Sequence, residues 1–257
     1  MLTTFFGFSQ KKELRSAEKR LDEGFYNEAL DILSQVEGLI SSSDQKYQAQ
    51  YYYLLGWAEK GDNNFNNAIP NLRKAIDLDK LSKYKQNAQV FIDQIEIELV
   101  NSAVEDNKNE KFLSASKKLY DAYLINTDGT SNIDYLYFAA SSSVNGKDYK
   151  LALEYYNLLK DMGYTGIVTE YFVTPVETQV EQKVSETEFN LFKKSKDYIN
   201  PRSGDTESRL PEIVKNIALI YVQLGETDKA IAAIKDARKI NPEDLNLLLS
   251  EADLYMK

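Results

Sequence analysis

The 257-residue sequence contains no cysteine and no histidine. A chain without these residues cannot form disulfides, Cys/His zinc sites, or the Ser-His-Asp and Cys-His arrangements of many hydrolases. Carboxylate pairs, lysine or tyrosine chemistry and oxygen-coordinated Mg²⁺ or Ca²⁺ remain possible. The sequence has no glycine-rich phosphate loop and no spacing typical of a calcium loop. The sequence thus offers no motif for a metal or cofactor and we predict neither, while the prediction that the protein is not an enzyme rests on the repeats described below.

Glycine and proline are scarce, with 11 and 5 residues, and the acidic residues outnumber the basic ones by 40 to 31. Few chain breakers indicate a mostly helical protein with short connections. The net charge of −9 argues against nucleic acid as a partner, because phosphate binding depends on clustered Lys and Arg. No apolar run approaches the about 20 residues of a membrane span. We expect neither nucleic-acid binding nor a membrane span.

The N-terminal segment, residues 1–10, allows two interpretations. Residues 2–8 carry no charge, and the small residues Gly7 and Ser9 precede a possible cleavage point. This pattern resembles the end of a secretory signal peptide. The alternative is an apolar arm that packs on the first helix. The first interpretation predicts an exported protein and the second is compatible with a cytoplasmic one.

One pattern of small, aromatic and apolar residues occurs five times along the chain. A small residue is followed nine positions later by an aromatic residue in four of the five copies, then by alanine after three more and by a large apolar residue after another four. The copies are Ala17, Tyr26, Ala29, Leu33; Gly56, Phe65, Ala68, Leu72; Ala103, Phe112, Ala115, Leu119; Ala140, Tyr149, Ala152, Tyr156; and Ala218, Thr227, Ala230, Ile234. These spacings predict antiparallel helix pairs that bury their apolar faces only by stacking, which is the principle of a solenoid.

The repeats resemble the tetratricopeptide repeat (TPR). The resemblance is strongest in the second copy, where residues 52–55 lead into Gly56, and in the fifth, where Tyr221, Gly225 and Pro242 also fit. It implies an all-α solenoid of TPR helix hairpins that acts as a non-catalytic scaffold and binds a protein or peptide in its concave groove. The chain is most similar to exported TPR proteins of Gram-negative bacteria, which implies a periplasmic or outer-membrane-associated location.

We predict four TPR units in residues 11–164, an insertion at 165–209, and a fifth unit with the first helix of a sixth at 210–257. Ser82 is expected to cap a long helix that runs from about residue 83 to 107. In the insertion, strand-forming residues at 171–174 and 176–180 predict a β-hairpin that Pro175 confines to a sheet edge. Ser185 and Glu188 predict a capping box ahead of a helix of about three turns, and we expect a loop at 200–204.

The TPR resemblance also implies which side chains face the groove, namely those one turn from each small packing residue. The candidates are Tyr53, Trp57, Val104, Tyr137, Ser141, Lys215, Asn216 and Leu219. The aromatic pair Trp57 and Tyr137 is the favoured binding surface, because aromatic rings give large contact area at low entropy cost. Lys215 and Asn216 resemble the Lys/Asn pairs with which some TPR domains clamp a carboxylate. The first repeat has Leu14 and Arg15 there, so a full clamp is not expected.

Two other functions remain open at this point. The insertion could form a pocket over the groove, with Tyr171, Glu177 or Lys183 in a ligand-binding or enzymatic role. The chain could instead be an architectural subunit that self-associates through its C-terminal helix, in which Leu245 and Leu249 add apolar surface.

Overall fold

The computed structural model describes residues 3–80, 83–125 and 132–256, with side chains from residue 10 onward. This part of the chain forms thirteen helices and one small sheet. The helices are α1 (Thr3–Asp22), α2 (Tyr26–Ser34), α3 (Glu37–Ile40), α4 (Gln45–Gly61), α5 (Phe65–Leu78), α6 (Lys85–Lys108), α7 (Phe112–Ile125), α8 (Ile133–Asn145), α9 (Tyr149–Asp161), α10 (Glu186–Phe192), α11 (Leu210–Gln223), α12 (Thr227–Ile240) and α13 (Leu245–Tyr255). The prediction of a helical repeat fold with a small β-containing insertion is confirmed.

The chain divides into two compact units. The first unit comprises residues 1–109 and 117–128, and the second comprises residues 110–116 and 129–257. In the first unit α1 pairs with α2 and α4 with α5, while α2 packs on α4 and α5 packs on α6. In the second unit α8 pairs with α9 and α11 with α12, while α9 packs on α11 and α13 contacts both α11 and α12. The domain boundaries predicted from the sequence stay a prediction.

The small residues of the repeat pattern lie where paired helices approach each other. The following alanines of the pattern have no exposed surface: Ala17, Ala29, Ala68, Ala103, Ala115, Ala140, Ala152, Ala218 and Ala230. Large apolar side chains fill the space beside them, and Leu33, Leu72 and Ile234 are equally buried. A methyl group at these positions lets two helix backbones come close while the neighbouring leucine or isoleucine supplies the buried area.

The turn inside each helix pair uses one residue in the left-handed conformation. It lies two positions before the second helix of the pair, and φ is 80° at Gly24, 60° at Asn63, 59° at Glu110, 61° at Lys147 and 72° at Gly225. The turn therefore recurs in geometry even where the sequence lacks glycine. Asn63, Glu110 and Lys147 adopt this conformation at a steric cost that glycine avoids.

The insertion contains a three-stranded antiparallel sheet, formed by β1 (Thr169–Pro175), β2 (Gln182–Val184) and β3 (Tyr198–Asp205) in the order β2-β1-β3. The prediction that Pro175 confines its strand to an edge was wrong, because β1 is the central strand. Pro175 is its last residue, beyond the stretch that pairs with β2. The predicted capping box is confirmed: Ser185 Oγ accepts a hydrogen bond from the Glu188 amide, and the Glu188 carboxylate accepts one from the Ser185 amide.

Three further details of the insertion differ from the sequence prediction. Residues 176–180, expected as a strand, form a turn and an irregular connection, and the strand that follows is β2. Residues 200–204, expected as a loop, belong to β3. The pairs Thr174–Ile199 and Phe172–Arg202 leave two residues of β3 opposite one residue of β1, which is a β-bulge that accommodates Asn200 and Pro201. Helix α10 has seven residues, so it makes about two turns and not three.

Arg209 connects the two ends of the insertion and contacts α8 within the second unit. Its amide donates to the Thr165 carbonyl at 2.7 Å, which joins the two ends of the insertion. Its Nη1 donates to the Tyr164 hydroxyl at 2.8 Å, and its guanidinium carbon lies 4.6 Å from the ring centre of Tyr137 on α8. One residue therefore makes a backbone hydrogen bond through its amide, and a side-chain hydrogen bond and a cation–π contact through its guanidinium group, at the base of the sheet.

Some expectations fall on residues outside the described part. The cap at Ser82 is one of them. The nature of residues 1–10 also stays a prediction, because residues 3–10 belong to α1 but only the Gln10 side chain is described. Asp79 accepts hydrogen bonds from the amides of Tyr84 (2.5 Å) and Lys85 (2.9 Å) at the start of α6. Within the described ranges, no helix combines the length and the apolar character that a membrane crossing requires. Self-association through α13, on which Leu245 is 72% exposed, stays a prediction.

Candidate functional site

Four aromatic side chains, two from α4, one from α6 and one from the residue just before α6, pack together in the first unit. The Tyr53 ring stacks on Tyr84 at 5.0 Å and on Phe91 at 5.8 Å between ring centres. Trp57, one turn after Tyr53, lies 6.0 Å from Tyr53 and 5.6 Å from Phe91. We call Tyr53, Trp57, Tyr84 and Phe91 the aromatic cluster. Tyr53 and Tyr84 are buried and Trp57 and Phe91 are half-buried, so the cluster is packed on one side and open on the other.

An ion pair lies at the border of this cluster. Lys60 lies one turn beyond Trp57 on α4; its Nζ pairs with Glu98 at 2.8 Å and lies 6.0 Å from the ring centre of Phe91. Burial raises the pKa of Tyr53 above its usual value, so its hydroxyl stays neutral at physiological pH. The cluster therefore offers aromatic surface with a neutral hydroxyl inside it and an ion pair at its border.

A cleft of about 560 Å³ lies beside the aromatic cluster, lined by residues of α1, of the start of α4 and of the connection from α5 to α6. Tyr84 belongs both to the cleft and to the aromatic cluster. The charged lining consists of Lys11, Arg15, Lys46, Lys80 and Lys83 against Glu18 and Asp79. We call this the basic cleft. Its five basic side chains contrast with the net charge of −9 on the whole chain.

The two carboxylates of the basic cleft are already engaged. Asp79 accepts the two amide hydrogen bonds at the start of α6, and Glu18 accepts one from the Gln50 side chain at 3.4 Å. By contrast, Lys11, Arg15 and Lys80 are exposed and form no ion pair with any residue that the structure describes. Their positive charge is directed at the cleft and its surrounding solvent.

The other two basic groups of the cleft lie against tyrosine rings. Lys46 Nζ is 4.8 Å from the ring centre of Tyr47, and Lys83 Nζ is 4.7 Å from that of Tyr84. The hydrogen bond from Lys83 to the Tyr84 hydroxyl, 2.8 Å long, raises the pKa of Lys83. Lys83 is therefore charged throughout the physiological pH range.

Three predicted groove residues of the second unit contribute to a hydrogen-bonded core. Tyr137 is buried, and its hydroxyl donates to the Glu212 carboxylate at 2.7 Å. Burial and this bond raise the pKa of Tyr137. Asn216 donates to the Tyr156 hydroxyl at 3.0 Å, and Ser141 hydrogen-bonds to the same group. Burial raises the pKa of Tyr156 to about 12, which keeps the hydroxyl neutral.

The remaining predicted residues lie elsewhere. Lys215 pairs with Asp244 of the α13 N-cap at 2.8 Å, so the clamp-like pair Lys215 and Asn216 has partners inside the protein. Leu219 is half-buried on α11, and Val104 is 47% exposed on α6. Of the eight predicted residues, the structure brings Tyr53 and Trp57 together in the first unit, and Tyr137, Ser141 and Asn216 around Tyr156 in the second.

The basic cleft was missed by the sequence reasoning, which noticed Arg15 only as the residue at a clamp position. One signal was present, because Lys11 precedes Arg15 by four residues and so lies on the same face of α1. Lys46 comes from the start of α4, and Lys80 and Lys83 come from the connection between α5 and α6. Only the packing of α4 and α6 brings them to the same cleft.

The residues proposed for an insertion pocket do not converge. Glu177 and Lys183 are exposed, and Lys183 pairs with Glu170 at 2.6 Å. The Tyr171 ring lies 5.0 Å from that of Phe189 on α10. This arrangement is a small exposed sheet with a helix against it, which counts against a ligand-binding or enzymatic role for these three residues.

Comparison with known families agrees with the repeat pattern. The sequence profile of the tetratricopeptide repeat matches residues 49–80 and 216–244. These two segments are similar to tetratricopeptide repeats. The first match covers most of α4 together with α5, and the second covers the end of α11 together with α12. Each compact unit therefore contains one segment similar to this repeat, and the repeat is usually non-catalytic.

Two solved structures illustrate the similarity. Repeats of a proposed kinesin light chain from Podospora anserina, described as nearly identical and TPR-like, share 11% identity over 90% of this chain and 94% of that chain, with a TM-score of 0.33. A thermophilic TPR protein of Thermus thermophilus shares 13% identity over 96% and 100% of the two chains, with a TM-score of 0.30. Similarities at these levels of identity and TM-score do not indicate a function for this chain. No curated protein sequence matches this chain.

Proposed function

We propose that this TPR protein is a non-catalytic scaffold that binds a segment of another protein in its first unit, across the aromatic cluster and the basic cleft. The observation that carries the proposal is the continuity of these two surfaces through Tyr84, which stacks on Tyr53 on one side and lines the cleft on the other. A segment in the cleft would therefore lie beside the open rings of the cluster.

The size and chemistry of the surface suit a short stretch of polypeptide. Ligand pockets commonly occupy about 300–1,000 Å³, and the basic cleft falls within that range. Half-buried aromatic rings such as Trp57 are frequent centres of binding energy, because they are already partly ordered and bury a large area on contact. The repeat fold supports protein binding, which is its usual role.

Replacing Trp57 by alanine is expected to reduce partner capture strongly. In pull-downs from a native lysate, we expect the parent to retain a defined set of proteins. We expect the amount of the most abundant captured protein to fall about tenfold or more with Trp57→Ala, a loss typical of an interface hot spot. Tyr52→Ala is the matched control, because Tyr52 is also half-buried on α4 but lies by Lys74 of α5, with its ring 4.0 Å from that ammonium group.

One outcome of these pull-downs would contradict binding across the aromatic cluster. If Trp57→Ala is folded, as judged by an unchanged circular dichroism spectrum, and captures the same proteins in the same yield as the parent, binding across the aromatic cluster is wrong. Tyr137→Ala, the other aromatic candidate of the sequence, is expected to behave differently. Because Tyr137 is buried and bonded to Glu212, its loss should lower stability before it affects a partner.

A further inference from the structure

We infer that the partner segment recognised by the basic cleft is acidic, with several Asp or Glu side chains close together in sequence. The inference rests on the proposed function and adds the chemistry of the partner. Its basis is the set of exposed basic side chains, Lys11, Arg15 and Lys80, that face the cleft without a carboxylate partner in the described structure.

The local charge is opposite to that of the chain as a whole. Five basic side chains line the cleft, and its two carboxylates, Glu18 and Asp79, already accept hydrogen bonds from the protein. A chain with a net charge of −9 repels an acidic segment at long range. The cleft is a place where the same segment gains attraction, so charge selects both the partner and the position at which it binds.

The distribution of the basic groups favours a segment of several residues over a single small anion. Arg15 and Lys11 come from α1, Lys46 from the start of α4, and Lys80 and Lys83 from the connection before α6. They surround a volume of about 560 Å³, far larger than one carboxylate or phosphate group. Two of the lysines lie over tyrosine rings, which offers apolar contact between the charges.

The test uses a fluorescein-labelled peptide that alternates glutamate with leucine, and measures its binding to the full chain by fluorescence anisotropy. A glutamine-for-glutamate peptide and a lysine-for-glutamate peptide of the same length provide the charge controls. We expect the acidic peptide to bind at least about tenfold more tightly than the glutamine peptide at low salt. The difference should shrink several-fold as the salt concentration rises from about 0.01 M to about 0.15 M.

The matching variant reverses the unpaired charges of the cleft. The combined change Lys11→Glu, Arg15→Glu and Lys80→Glu is expected to weaken binding of the acidic peptide by at least about tenfold, because attraction becomes repulsion at three positions. Lys12→Glu is the matched control, since Lys12 is also exposed on α1 but does not line the cleft. It should change the affinity by no more than about twofold.

Three results would overturn the inference. They are equal binding of the acidic and glutamine peptides, unchanged binding by the folded triple variant, and full displacement of the peptide by an equal concentration of inorganic phosphate or free glutamate, which would indicate a small-anion site.

The proposed function can be contradicted independently of this inference. If none of the peptides binds but Trp57→Ala still abolishes partner capture, the acidic chemistry is wrong and the scaffold role stands; if capture is also unaffected, both are wrong.

Discussion

Gly56→Val is expected to lower the free energy of unfolding by about 3 kcal/mol, at the upper end of the range for overpacking in a core. A Cβ atom at Gly56 would lie 2.6 Å from Cγ of Leu72 and 3.1 Å from the carbonyl oxygen of Ala68. Leu72 is completely buried, so its side chain has no free space to enter, and the backbone of α5 cannot move without disturbing the helix pair. Chemical denaturation followed by circular dichroism measures the loss.

Gly38→Val provides the comparison within the first unit. Gly38 lies on α3, also has an ordinary helical backbone, and has no neighbouring atom within 4 Å of a built Cβ. We expect its substitution to change stability by less than about 1 kcal/mol, the range of a propensity effect. If both glycine substitutions lower the free energy of unfolding by the same amount, the close approach of α4 and α5 is not the reason why residue 56 is a glycine.

Tyr156→Ala is expected to cost about 4 kcal/mol in the second unit. Only 1% of Tyr156 is exposed, so removing its ring leaves a large cavity between α8, α9 and α11. Its hydroxyl also accepts the hydrogen bond from Asn216, and the truncation leaves that amide without its partner. We expect the lower melting temperature to appear in differential scanning calorimetry.

Tyr156→Phe separates the two contributions. It keeps the ring and removes the hydroxyl, so we expect a loss of about 1–2 kcal/mol, the cost of a broken buried hydrogen bond. A loss as large as that of the alanine variant would mean that the hydroxyl, and not the packing of the ring, dominates this site. A neutral result for both variants would contradict the description of Tyr156 as a core residue.

The repeat pattern made the helical part of the fold predictable. Small residues at 17, 56, 103, 140 and 218 recur because two helices must approach there, and this requirement leaves a mark at fixed spacing. The turns were harder to predict from the sequence. Asn63, Glu110 and Lys147 adopt a left-handed backbone conformation that a sequence indicates only where the residue is glycine. The conformation is imposed by the helix pair and the residue tolerates it.

Parts of the insertion and the basic cleft depend on contacts between residues that are far apart in the sequence, and local sequence patterns do not indicate such contacts. Pro201 and Asn200 are typical of a loop, yet the bulge of β3 accepts both because its partner strand β1 supplies the remaining hydrogen bonds. The aromatic pair Tyr53 and Trp57 could be found from helical spacing alone. The cleft depends on lysines from three separate segments, and no spacing in the sequence relates Lys80 to Lys11.

Hydrogen–deuterium exchange of the chain with and without its captured partner tests the binding site most directly. The proposal predicts slower exchange in α1, in α4 as far as Trp57, and in residues 79–80 and 83–91, which contain the basic cleft and the aromatic cluster. Exchange in the sheet of the insertion, residues 169–205, should stay unchanged. Protection confined to the insertion or to the second unit would contradict the proposed site.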